Sequence, residues 1–166
     1  MTGSIVLRIV LPMIAAGFLA QGAQAQDVKR GEYLATIMDC GGCHTTGALA
    51  GQPDGTKYLA GSTIGFEIPG VGIFYPPNLT SDTETGIGRW SEDDLIKAIR
   101  AGMRPDGRQL VPIMPYMHYA ALTDADAKAL AAYLKTVKPV RHAVPPNVRA
   151  GETPKAPYLS VIVPKQ

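Results

Sequence analysis

Apolar and polar positions keep a helical period in three separated stretches of this chain and lose it in between. In the first stretch Val28, Gly31, Leu34, Ala35 and Met38 recur at intervals of three and four. That spacing predicts a helix from Asp27 to about Asp39, with Asp27 as its cap. Gly31 in the middle costs such a helix stability unless another helix must come close there. In the second stretch Ser91 offers a capping hydroxyl, and Glu92, Asp93 and Asp94 put acids in the first turn. Leu95, Ile96 and Ile99 form its apolar face, Lys97 and Arg100 lie near its end, and Gly102 stops it. In the third, Thr123 caps a helix whose stripe is Leu130, Tyr133, Leu134 and Val137, and Pro139 ends it. Alanines between the stripe residues keep that face shallow. Gly31 is therefore the expected partner of this last helix.

Between residues 45 and 87 glycine, proline and threonine dominate and no helical period lasts. Phe66-Glu67-Ile68 and Gly72-Ile73-Phe74-Tyr75 read as two short extended pieces, joined as a hairpin around Pro69-Gly70. So long a loop is unusual in a compact domain unless it is functional or packed on something. Residues 139–166 carry six of the 14 prolines and a surplus of basic side chains. This composition favours extended, polyproline-like chain, either as a strap on the body or a loose terminus, or as a contact arm for a partner protein. Residues 1–25 read as a secretory signal peptide: Arg8, an apolar run from Ile9 to Ala20, and Ala23-Gln24-Ala25 as an A-x-A cleavage site. The division is then 1–25 leader, 26–138 folded domain and 139–166 tail.

Length fits one domain, and a net charge of +2 is too slight to suggest a nucleic-acid partner. Trp90 is the only tryptophan, so aromatic side chains alone build little core. The only two cysteines lie in Cys40-Gly41-Gly42-Cys43-His44. C-x-x-C-H is the attachment pattern of a c-type haem, each thiol bonding one vinyl group while the histidine supplies an imidazole to the iron. The two intervening glycines add no side chain that would collide with the porphyrin. Rival readings fare worse. A thioredoxin-like motif should lie near a βαβ pattern, which is missing, and a structural zinc site needs a second ligand pair. A disulfide between Cys40 and Cys43 would close a very short loop and leave His44 unexplained. A single C-x-x-C-H implies a single haem.

A low-spin electron-transfer haem also needs a sixth ligand, commonly a methionine. Beyond the leader the chain has Met38, Met103, Met114 and Met117. Met38 sits too near the cysteines to reach the opposite haem face. Met114 lies in an apolar loop stiffened by Pro112 and Pro115, which can hold a thioether with little ordering cost. Met103, Met117 and His118 are the alternatives, and an open iron is the remaining one. Trp90, Asn78 and Tyr75 are candidates to bond haem propionates or pack on the ring edge, and Arg104 and Arg108 to pair with propionates. All five are equally readable as ordinary core, loop or turn residues. Asn78-Leu79-Thr80 also matches a glycosylation acceptor, read here as structural.

Several stretches in order resemble the class I cytochrome c family, in particular single-haem domains of the cytochrome subunits of bacterial periplasmic dehydrogenases. They are Gly31-Glu32-Tyr33-Leu34-Ala35, the haem motif, Pro77-Asn78-Leu79-Thr80, Thr85-Gly86-Ile87-Gly88-Arg89-Trp90, Arg104-Pro105-Asp106-Gly107-Arg108 and Met114-Pro115-Tyr116. The resemblance implies an all-α fold of about three main helices round one covalent haem c. It further implies crossed first and last helices, His44 as proximal ligand and Met114 as distal ligand. Many relatives carry three haem domains whereas this chain carries one.

The leading expectation is a periplasmic carrier of single electrons between redox partner proteins, with a dehydrogenase as donor and an oxidase or another cytochrome as acceptor. It is not itself an enzyme on this reading, and membrane contact is at most peripheral. A second reading is a dedicated subunit of a dehydrogenase complex, docked through the tail. A third is a five-coordinate haem sensor or peroxidase, against which Met114 speaks.

Overall fold

The computed structural model describes residues 27–164. The leader expected over residues 1–25 lies outside them. Helix α1 spans residues 27–37, close to the expected limits. Asp27 is already helical, so it is not the cap expected of it. A short helix α2, Cys40–His44, follows. After two single-turn 3-10 helices come the strands β1, Gly65–Ile68, and β2, Gly72–Phe74. Helices α3, Glu92–Ala101, α4, Tyr116–Tyr119, and α5, Asp124–Thr136, complete the helical part. Strands β3, Val148–Arg149, and β4, Tyr158–Leu159, lie in the tail.

The helix ends follow the chemistry legible in the sequence. Ser91 and Asp94 form a reciprocal capping box at the start of α3, and Gly102 takes the left-handed conformation, φ 67°, that closes it. Thr123 accepts the Asp126 amide hydrogen at the start of α5. Val137, expected on the α5 stripe, has left the helix and caps it in extended conformation. Pro139, two residues on, cannot continue it.

Helices α1 and α5 meet at Gly31. A Cβ there would run into the Ala129 carbonyl oxygen and lie 2.6 Å from the Tyr133 Cβ. The helix-breaking residue is thus the condition for the crossing. Arg30 adds an ion pair to Asp126 at 2.8 Å, and Arg100 of α3 pairs with Asp124 of α5 at 2.6 Å. Both are exposed pairs of modest worth. The core beneath joins Leu34 and Ala35 of α1, Leu95 and Ile99 of α3, and Leu130, Ala131, Tyr133 and Leu134 of α5 with Leu59 and Ile87 from the loops.

The expectation of an all-α chain needs correction, because the tail builds a sheet on the loop region. Strands β1 and β2 form the predicted hairpin, with Phe66 opposite Phe74 and Ile68 opposite Gly72. A two-stranded hairpin leaves two unpaired backbone edges. The tail covers both, giving the order β3-β2-β1-β4. Ile73 pairs with Val148 antiparallel, and Phe66 pairs with Leu159 in parallel. The tail prolines stand outside the paired residues, where no backbone N–H is needed. Of the readings offered for the tail, the strap describes it as far as Leu159. Beyond that, Val161, Ile162 and Val163 are 79%, 87% and 80% exposed.

Candidate functional site

Cys40, Cys43 and His44 occupy positions i, i+3 and i+4 of α2, so one helical turn presents all three side chains on one face. Asp39 enters this turn in the left-handed region, φ 54°, and its carboxylate accepts the Gly42 amide hydrogen at 3.1 Å. The two glycines also make room within the protein itself. A Cβ on Gly42 would strike the Asp39 carboxylate, and one on Gly41 would lie 3.2 Å from the Tyr58 ring. Both cysteines are free and half-buried. Burial pushes the Cys40 thiol up to about 11 and raises that of Cys43 as well, so both stand as neutral thiols at neutral pH.

His44 is buried, with 8% of its surface exposed, and its Nδ1 lies 2.8 Å from the Pro77 carbonyl oxygen. A carbonyl only accepts, so the proton resides on Nδ1 and Nε2 keeps its lone pair. Burial lowers the pKa of the ring, outweighing the Pro77 bond that raises it. His44 is therefore a neutral imidazole, oriented from behind, with the correct nitrogen free to bind a metal. Its surroundings are built from two loop segments, residues 59–62 and 76–79. Gly61 donates to the His44 carbonyl at 2.7 Å, Ser62 to Pro76 at 3.0 Å, and Leu79 to Leu59 at 2.8 Å.

The Met114 loop is anchored at both ends. Leu110 donates to the Gly102 carbonyl at 2.7 Å, and Tyr116, which begins α4, donates to Met114 at 2.7 Å. Gly102 makes room for the Tyr116 ring, since a Cβ there would lie 2.7 Å from it. Tyr119, at the end of α4, donates its hydroxyl to the Met38 carbonyl at 3.1 Å. That bond ties the loop to the residue two before Cys40. Met114 is half-buried, whereas Met103 and Met117 are 39% and 61% exposed and His118 is exposed.

Of the remaining candidates, Asn78 and Tyr75 have their side-chain polar atoms committed to protein. Asn78, buried at 2% exposure, donates through Nδ2 to Thr85 at 3.0 Å and to the Val140 carbonyl at 2.8 Å. Its Oδ1 accepts from both the amide and the hydroxyl of Thr80. Tyr75 donates its hydroxyl to Ala156 at 3.1 Å, and its amide donates to Asn147 at 3.1 Å. These two side chains hold the tail. Trp90 packs on the core beneath the Arg104 guanidinium, 5.0 Å from the ring centroid, a cation–π arrangement. Arg104 also bonds Asp106 at 3.3 Å, while Arg108 approaches it at 4.0 Å. Sequence reasoning assigns no role to Pro77 or Thr85 and reads His142 as a surface or propionate-side residue, whereas its Nδ1 bonds the Ala60 carbonyl at 2.8 Å. Pro77 acts through a backbone carbonyl, which no residue type advertises.

A family model, Cytochrome c, matches residues 28–138. The chain belongs to the cytochrome c family. It is 42% identical over 138 residues to an alcohol dehydrogenase (quinone), cytochrome c subunit, of Gluconobacter oxydans (strain 621H), an alignment covering 81% of this chain and 27% of the relative. It is 40% identical over 155 residues to a gluconate 2-dehydrogenase cytochrome c subunit of Pantoea cypripedii, covering 92% and 32%. It is 44% identical over 120 residues to a fructose dehydrogenase cytochrome subunit of Gluconobacter japonicus, covering 71% and 23%. The cytochrome thus spans about a quarter to a third of the length of these curated relatives.

The residues fit the family's cofactor, haem c, held covalently through Cys40 and Cys43. Two free thiols and a lone-pair-bearing Nε2 on one helical face are the donor set the group requires. The Nδ1 bond to Pro77 is the outer support that metal-binding histidines use to fix ring and tautomer.

Proposed function

We propose that this cytochrome carries single electrons between redox proteins in the periplasm, its iron held between His44 and Met114. The observation that carries the reading is the buried His44, locked by Pro77 with Nε2 free, inside a C-x-x-C-H turn. Haem c supplies a one-electron ferric–ferrous couple when bound. The protein's part is to hold and shield it. Cys40 and Cys43 would hold the ring covalently, His44 would offer its Nε2 to the iron, and the stiff Met114 loop would offer the soft thioether that favours the ferrous state. Export through the leader at 1–25 would place the chain where such attachment occurs. The chain itself then transforms no substrate. Its donor would be a dehydrogenase, and its acceptor an oxidase or a further cytochrome.

The names of the relatives favour a second reading, a dedicated subunit of a dehydrogenase complex. Co-purification of a dehydrogenase from periplasm would separate it from a free carrier. The ligand assignment has its own test. Ferric methionine-ligated haem shows a weak far-red sulfur-to-iron band. Met114→Ala should abolish that band while Met117→Ala preserves it. Survival of the band in Met114→Ala would overturn the assignment, and its absence from the wild type would favour a five-coordinate sensor or peroxidase.

A further inference from the structure

The tail beyond α5 does more than cover sheet edges. Between Val137 and Val144 it lies across the two loop segments that hold His44 from behind. Residues 59–62 contact the His44 backbone, since Gly61 donates to its carbonyl at 2.7 Å. Residues 76–79 contact its ring, since Pro77 accepts from Nδ1 at 2.8 Å. The strap grips both. His142 Nδ1 donates to the Ala60 carbonyl at 2.8 Å. The amide of the same residue donates to Thr85 at 3.0 Å, and Thr85 in turn accepts from Asn78 at 3.0 Å. The Val140 carbonyl accepts from Asn78 at 2.8 Å, while the Val140 amide donates to Thr80 at 3.2 Å. Val144 closes the stack over Gly61, where a Cβ would collide with the valine methyl and lie 3.0 Å from the Asn78 amide nitrogen.

Asn78 therefore stands at a junction. The peptide bond that carries the Pro77 carbonyl ends at the Asn78 nitrogen, and the side chain of Asn78 is fully engaged with Thr80, Thr85 and the strap. Nothing in the ordinary packing of the core requires residues 140–142 to bond there. Buried, saturated polar networks of this kind fix a single geometry and lose it when one member goes.

We propose that the strap, through Val140, His142, Thr85 and Asn78, is a positioning device that presses the Pro77 carbonyl onto His44. It would thereby set the donor strength of the axial imidazole. The proposal rests on the reading of His44 as a haem ligand. A firm Nδ1–H bond makes Nε2 more basic, and a more basic imidazole favours ferric iron. Loosening the strap should weaken the bond and raise the reduction potential.

The test uses the haem-loaded ferrous protein and reads solvent exchange of the His44 Nδ1 proton by NMR, together with the potential. Thr85→Val removes the hydroxyl that joins Asn78 to His142. A chain ending at Pro139 lacks the strap, and one ending at Leu159 keeps every strap contact as a reference. Exchange should be about fivefold faster in Thr85→Val and in the Pro139 chain, the factor expected for one ordinary hydrogen bond of about 1 kcal/mol lost. The potential should rise in Thr85→Val. The Leu159 chain should match the wild type, and α3 amides should exchange alike in all folded forms. Should the Pro139 chain fail to fold, Thr85→Val decides alone. Unmoved proton exchange in a haem-loaded Thr85→Val overturns the strap's role and leaves the carrier reading intact. A wild type that attaches no haem overturns both.

Discussion

Gly31 of α1 faces the carbonyl of Ala129 of α5 so closely that no side chain fits between the two helices. Two opposing effects act on this position. In an isolated helix alanine would be preferred to glycine by about 1 kcal/mol. Here the blocking atom belongs to a backbone carbonyl inside a packed crossing, and overpacking costs of order 1–3 kcal/mol or more. The collision wins. Gly31→Ala should lower stability to urea by about 2 kcal/mol, and any gain in stability would contradict the crossing described.

Asp82 organises the loop that carries Thr85. Its carboxylate accepts the Thr85 amide at 2.6 Å and the Thr85 hydroxyl at 2.8 Å. The Thr85 amide bond, aided by the hydroxyl, holds its pKa below the usual carboxylate range. A depressed carboxylate stabilises the fold fully above its unfolded value and loses that contribution as pH falls through the folded one. The thermal midpoint of the wild type should therefore drop more steeply than that of Asp82→Asn as pH falls below about 5. Parallel curves would contradict the assigned role.

Tyr75 latches the outer part of the strap, donating its buried hydroxyl to Ala156. Tyr75→Phe removes one hydrogen bond worth about 1 kcal/mol, which should raise the local opening of β4 roughly fivefold. Trypsin cleavage after the exposed Lys155 should speed up by a similar factor, with global unfolding little changed. An unchanged cleavage rate would show that β4 is held by its pairing alone.

What the sequence made legible divides by physical range. Capping and periodicity act within one helix, so α3 and α5 stood out at Ser91, Asp94, Gly102 and Thr123. Gly31 was legible because a glycine inside a good helix pattern demands a close neighbour. The β1–β2 hairpin announced itself through Pro69-Gly70. The strap did not. Its pairs join Ile73 to Val148 and Phe66 to Leu159 through backbone groups that every residue carries. Asn78 shows the same limit at the site. Its residue type fits a propionate donor, a glycosylation acceptor or a buried clamp equally well. Only the positions of Thr80, Thr85 and Val140 reveal how both ends of its amide are used. Pro77 contributes a carbonyl, and α4 is a single turn too short for any period to mark.

At the centre of the proposed function stands one covalently held haem that would cycle by one electron between His44 and Met114. Spectroelectrochemical titration of the purified, haem-loaded chain tests this most directly. A single transition is predicted, with one haem per chain and a slope of about 59 mV per decade, the value for one electron. The ferrous form should not bind carbon monoxide while Met114 is in place. A ferrous form that binds carbon monoxide readily, or a folded, loaded chain with no reversible transition, would contradict it.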